Sequence, residues 1–392
     1  MTSTLWASSG KFLVLFLTLS VATVFTSAPP ASAQTFTLLH GFSGTTDGAT
    51  PQAPLIIDSS GNLYGTTVYG GTASSGIVFK LDPAGNETIL YTFSGGTDGQ
   101  YPVSGLLRDS SGNLFGTTYD GGTALNVAGT IFKLSPSGKE KVLYNFTGGT
   151  DGGQPESSLI TDGQGNLYGS TEGSGAFGFG TIYKLSATHQ ETVLFSFRGG
   201  QTGSNPSRGS LIRDNAGNFI GTAGLAGFQQ NGMVFKVSPT GKEKILHVFT
   251  GGADGGIPYW SLTRDNAGNF YGTTWAGGTY LSGTVFKIDG GGNETVLYNF
   301  TGGADGQFAL GGVVRDAAGN LYGTTNSRGA NGFGTVYKLD SAGNETVLYS
   351  FTGGSDGASP QAALILDATG NLYGTATAGG DGGNGTVFKI TP

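Results

Sequence analysis

The sequence predicts an all-β fold: a seven-bladed β-propeller with four antiparallel strands per blade, its last blade closed by the N-terminal strand. Three observations predict it. A segment of about 51 residues recurs seven times, marked by D-x-x-G-N-[LF]-[YFI]-G starting at Asp58, Asp109, Asp162, Asp214, Asp265, Asp316 and Asp367. A period of that size signals ringed or stacked repeats. Each copy reads as four short strands with no helical period. The two ends of the chain hold complementary fragments of one copy, as closing a ring requires.

The first 33 residues stand outside the repeats. Lys11 supplies a short positive region, and the apolar run from Phe12 to Phe25 is too short to span a bilayer comfortably. Ala31-Ser32-Ala33 places small residues where a signal peptidase reads them, so cleavage is expected after Ala33. An uncleaved membrane anchor is the alternative. No second long apolar run follows, so no membrane span is expected once the leader is removed. Residues 34–392 then form one repeat domain, secreted or periplasmic.

Composition narrows the function classes. The net charge of −7 argues against nucleic acid and anionic membrane as partners. Cysteine is absent, so sheet packing rather than disulfides must hold an exported chain together. Glycine is abundant, yet aromatics reach 11 %, which disordered Gly-rich tracts lack.

The segment from Pro258 to Thr301 represents all seven copies. Residues 261–265 form a first short strand, followed by a tight turn in which Gly268 is free to take positive φ. Residues 270–274 form the second strand, and a loop of variable length follows. Residues 283–288 form the third strand, and residues 294–300, after a second Gly-rich turn, the fourth. By alternation, Val296, Tyr298 and Phe300 point one way and Leu297 the other. Strands apolar on both faces belong to sheets covered on both sides, as in propeller blades. The last copy stops after its third strand, at residues 388–392, and the missing fourth strand appears as residues 35–42. An open solenoid gives no reason for that complementarity.

The pattern D-x-x-G-N-L-Y-G-T-T, then G-T-V-F-K-L, then E-T-V-L-Y-x-F-T-G-G-x-D-G resembles the GloVer tandem-repeat family of exported bacterial proteins. The resemblance covers essentially the whole chain after the leader. It implies export and a propeller and carries no known activity.

Repeated columns are expected to be structural. They include the turn aspartates, the third-strand lysines Lys80, Lys133, Lys184, Lys236, Lys287, Lys338 and Lys389, and the fourth-strand glutamates from Glu87 to Glu345. The lysines and glutamates flank one hairpin and suggest modest cross-strand ion pairs. The aspartates of the G-G-x-D-G loops (Asp47, Asp98, Asp151, Asp254, Asp305 and Asp356) offer one carboxylate per loop. That density falls short of a calcium loop and suits a local turn cap. His40 and His247 replace a packed aromatic, and no metal-ligand spacing or nucleophile motif is legible. No cofactor, metal or catalytic residue is therefore assigned.

Setting the columns aside leaves Asp120, Glu156, Glu172, Arg198, Arg208, Arg328 and Asp381 toward the face with the long connections. Glu156, Glu172, Arg198 and Arg208 fall around blades 3 and 4, where Thr202 also replaces the loop aspartate. Blade 5 adds Tyr259, Trp260 and Trp275. Flat aromatics beside polar groups suit sugars or other polar oligomers, so these seven residues form the candidate ligand site. The plainer alternative is drift in one blade, with Trp260 filling the channel mouth. The expected function is an exported, monomeric, non-enzymatic binding or scaffold module with a glycan or protein ligand. A propeller enzyme acting on extracellular carbohydrate or a lactone is the alternative, disfavoured because few polar residues break the repeat to supply unequal acid and base roles.

Overall fold

The computed structural model describes residues 34–123, 128–200, 203–206, 209–225 and 230–392. The expected leader, Thr202 and Arg208 lie outside the described residues.

The described residues form seven separate antiparallel sheets, one per repeat and each a blade. Blade 5 shows the pattern, with strands Thr263–Arg264, Phe270–Thr274, Thr284–Ile288 and Glu294–Asn299 paired in sequence order. Blade 7 closes the ring: Thr35–Gly41 pairs with Thr386–Thr391 in register Phe36↔Ile390 to Gly41↔Thr386. The residues around Trp275 and Trp260 and the Asp265 turn thus sit at opposite ends of blade 5. Antiparallel order puts both tight turns at one end, and the long loops and blade-to-blade crossovers at the other.

One expectation about side-chain direction is overturned. In blade 5 the register jumps between Val285↔Tyr298 and Phe286↔Val296, so Leu297 is an extra, bulged residue. A bulge cancels the period-2 alternation. Leu297, Tyr298 and Phe300 therefore all pack into the one cluster shared with blade 6. The same leucine is skipped in every blade, as at Leu90, Leu143 and Leu194, and the N-terminal strand skips Leu39 in the same way. The twist added by the bulge turns the outer strand across its neighbour.

Between blades the core is an aromatic ring. Phe42–Phe79, Phe93–Phe132, Phe146–Tyr183, Phe197–Phe235, Phe249–Phe286, Phe300–Tyr337 and Phe351–Phe388 meet edge-to-face at 5.0–5.3 Å. This is the favoured quadrupole geometry. Nearer the axis, second-strand threonines donate to the next blade's backbone: Thr117 Oγ1 to Pro155 O, Thr222 Oγ1 to Trp260 O and, across the closure, Thr375 Oγ1 to Ala53 O.

Tyr183 and Tyr337 stand where other blades carry phenylalanine. Their hydroxyls are buried without a hydrogen-bond partner, and burial, helped by Glu191 or Glu345, pushes both phenols up. An unpartnered buried hydroxyl costs about 1 kcal/mol or more. Tyr183→Phe and Tyr337→Phe should each raise the melting temperature by about 2 °C; a drop of that size would show that the hydroxyl has a buried partner in solution.

The charged columns are structural, but not through the expected lysine–glutamate pairs. Glu87 lies opposite Leu81 and Lys80 opposite Thr88, so the two point to opposite faces. In blade 4, Lys236 Nζ instead meets Asp214 Oδ2 at 2.8 Å. The glutamates turn inward between blades, with Oε1 of Glu87, Glu140, Glu191, Glu243, Glu294 and Glu345 buried and unpartnered. The turn aspartates do cap: Asp58 accepts from the Ser60 and Asn62 amides and from Tyr64 Oη. Burial pushes Asp58 up, but the bonds from Asn62, Tyr64 and Ser60 outweigh it and hold it at about 2.

Candidate functional site

The face with the long connections is built from strained backbone. The residue closing each crossover has positive φ: Thr50, Tyr101, Gln154, Asn205, Ile257, Phe308 and Ser359, at 52–62°. None is glycine, and in all but one proline follows. Left-handed non-glycine residues cost free energy and persist only where the surroundings fix them. Here the amide of each donates to the preceding blade's loop, as Tyr101 N to Ser75 O at 2.9 Å and Ile257 N to Asn231 O at 2.6 Å. Its carbonyl accepts from the residue that leaves the second strand, as Tyr101 O from Tyr119 N and Ile257 O from Trp275 N.

That geometry aligns variable positions on a fixed frame. The crossover residue, the residue two beyond it (Gln52, Val103, Glu156, Tyr259, Leu310 and Gln361) and the residue at the end of the second strand (Val68, Tyr119, Glu172, Gly224, Trp275, Asn326 and Thr377) all lie at this end. Two cavities open among them.

The first cavity, of about 270 Å3, is lined by Glu172, Tyr259, Trp260, Trp275, Leu310 and Gln361. Residues from blades 3, 5, 6 and 7 can meet only where the ring's axis opens. Four of the seven expected site residues are therefore brought together. Glu172 Oε1 accepts from Asn205 Nδ2 at 3.2 Å, and the Trp275 ring packs against Phe308 at 5.1 Å between centroids. Trp260 is only 5 % exposed. It stands in a column of small residues, and a side chain at Gly209 would meet the Trp260–Ser261 backbone at 2.0–2.5 Å. Trp260 is thus a buried wall of the cavity, and Trp275 the more exposed aromatic in its lining.

The second cavity, of about 350 Å3, lies over blades 1 to 3. Glu156 belongs here, buried, beside Asp120, Gln52 and the tyrosines Tyr69, Tyr101 and Tyr119. Sequence reasoning missed the tyrosines because it subtracted only charged columns; comparing uncharged positions copy by copy would have found them. Burial pushes the Asp120 carboxyl up.

Arg198 joins neither cavity. Its guanidinium lies 4.8 Å from the centroid of the Phe177 ring, and its charge reaches Glu243. Sequence proximity misled because Arg198 sits at the outer end of its blade, where the fourth strand leaves the sheet.

The loop aspartates serve their own loops. Asp98 accepts from Ser94 N, Ser94 Oγ and Tyr91 Oη, and Asp356 from Thr352 N and Tyr349 Oη. His247 takes the tyrosine's place, with Nε2 3.5 Å from Asp254 Oδ2. Among the described residues no group of three or more metal-ligating side chains converges. No helix among them is long and apolar enough to cross a membrane.

Fold and site together define a β-propeller whose variable, aromatic-lined face is carried on an invariant ring. The chain belongs to the Gloeobacter/Verrucomicrobia repeat family, which matches residues 3–223 and 207–392. No curated protein sequence matches it. Among solved structures it is similar to the extracellular domain of a provisionally assigned hybrid two-component system from B. thetaiotaomicron. That match has a TM-score of 0.59 at 11 % identity and covers 90 % of this chain and 39 % of that one. The chain thus spans well under half the length of that relative. A provisionally assigned 6-phosphogluconolactonase from Bacteroides uniformis matches with a TM-score of 0.51 at 17 % identity, covering 80 % of this chain and 88 % of that one. At these identities the likeness is one of fold.

Proposed function

We propose that this protein is an exported binding module, cleaved after Ala33, whose axial cavity takes a saccharide. The observation that carries the reading is the meeting of Trp275, Tyr259, Glu172 and Gln361 at the axis. An aromatic face stacks on the apolar face of a pyranose, while a carboxylate and an amide accept and donate to its hydroxyls. The face is pre-organised, since its side chains stand on backbone fixed by hydrogen bonds to neighbouring blades, so little ordering entropy is lost on binding. The extracellular setting of the two-component relative is in keeping with export.

Tryptophan fluorescence titrated with soluble oligosaccharides tests the reading, because Trp275 lies in the cavity wall. Saturable quenching by at least one glycan is expected. Trp275→Ala should weaken binding at least about tenfold while the melting temperature holds, and Glu172→Gln should weaken it less. No saturation by any glycan, or undiminished affinity in Trp275→Ala, would overturn it.

A further inference from the structure

The cavity over blades 1 to 3 has a chemistry different from that of the axial one. Its aromatic wall is made of tyrosines: Tyr69 and Tyr101 meet edge-to-face at 5.3 Å, and Tyr119 is held next to Tyr101 by the hydrogen bond its amide donates to the Tyr101 carbonyl. Two carboxylates, Asp120 and Glu156, line it as well, and no lysine or arginine does among the described residues. Tyrosine faces are negative and the Asp120 carboxylate stands beside them, so this side of the cavity carries a field of one sign. Such a pocket repels anions and favours a cation.

The size and donor set select the kind of cation. A divalent metal needs several oxygens at 2.0–2.6 Å, and this wall is mostly ring. The volume, about 350 Å3, suits a small organic head group. A quaternary ammonium ion has no N–H to donate and is weakly hydrated, so it loses little on entering a cage of rings. The Asp120 carboxylate is partly withdrawn from water on the cavity wall, and burial pushes its pKa up, as expected of a group that lacks a positive neighbour. Tyr69 is 49 % exposed, which leaves the cage open to solvent. Repeat structure does not explain these residues: where blade 1 carries Tyr69 and blade 2 Asp120, blades 3 and 5 carry Gly173 and Ala276.

We infer that Tyr69, Tyr101, Tyr119 and Asp120 form a cage for a quaternary ammonium group, separate from the axial saccharide site. Calorimetric titration of the purified protein with choline, tetramethylammonium and 3,3-dimethyl-1-butanol tests it, the last being the uncharged isostere of choline. Choline and tetramethylammonium should saturate at millimolar concentration, and the isostere should bind at least about tenfold more weakly. Tyr69→Leu and Asp120→Asn should each lower choline affinity about tenfold. Tyr280→Ser, which changes an exposed tyrosine outside both cavities, should not. Tyr69 is exposed enough for its variant to fold even if Asp120→Asn does not. Pelleting with phosphatidylcholine vesicles would place the ammonium on a lipid, and choline binding without pelleting would make it a free cation. Equal binding of the isostere, no saturation by either cation, or unchanged affinity in Tyr69→Leu would overturn the cage, and none of these outcomes bears on the glycan titration.

Discussion

Deleting Thr35 to Phe42 is expected to destroy the closed ring and bring the protein to the edge of unfolding. Those residues form the outer strand of blade 7, and their removal exposes the whole edge of Thr386–Thr391. Phe42 is fully buried against Phe79, and Phe36 stacks on Tyr349 at 4.1 Å between centroids. Removing one buried phenylalanine costs about 3–5 kcal/mol. With the lost strand pairing, the total is comparable to the whole stability of a typical domain, about 5–15 kcal/mol. The bare edge also invites association with other chains. Urea unfolding checks this. A truncated protein with the full chain's midpoint and slope would mean that the seventh blade does not depend on its N-terminal strand.

Stability should fall as pH rises from about 5 to 8. Burial between blades, reinforced by a neighbouring loop aspartate at most sites, pushes Glu87, Glu140, Glu191, Glu294 and Glu345 up to about 7. Glu243 reaches the same value with Arg198 acting against burial. Folded glutamates therefore bind protons more tightly than unfolded ones. Their contribution is complete below the unfolded value, about 4.5, and is lost as pH rises through about 7. The turn aspartates act in the opposite sense: Asp58, Asp162 and Asp214, held at about 2, stabilise above their unfolded value and lose that contribution as pH falls toward 2. His40 and His247, lowered by burial against the pull of Asp47 and Asp254, and His189, lowered by burial and by Lys141 and Lys133, favour higher pH, but they are three against six. Partly exposed sites keep only a fraction of their shift, about 0.5 kcal/mol each. Six such sites lower the melting temperature by about 5 °C across that window. The double variant Glu140→Gln, Glu191→Gln should melt higher than wild type at pH 8 and flatten the profile. A melting temperature that rises from pH 5 to pH 8 would contradict the reading.

Much of this was legible beforehand, for a reason visible in particular residues. The seven Asp–Asn turns, the third-strand lysines and the complementary chain ends are local facts repeated in one phase, and repetition turns weak local signals into a strong global one. The bulge at Leu297 was not legible: alternation assigns faces only while register is unbroken, and the extra residue is defined by a partner strand. The lysine–glutamate pairs failed for the same reason, since Lys80 and Glu87 are near in the hairpin but separated by one step of the pleat.

The candidate site divides along the same line. Trp275, Tyr259, Trp260 and Glu172 stood out because they break the repeat, and blade 3 faces blades 5 to 7 across the axis only because the ring closes. Glu156, sixteen residues from Glu172 in sequence, opens instead into a cavity with Tyr69 and Asp120. By itself, the sequence determined the number of blades, the strands within them and the end on which variation gathers, because those follow from period and patterning. Only the tertiary structure decided which variable residues share a cavity, because neighbours across a ring are set by closure and curvature, which no local run of residues encodes.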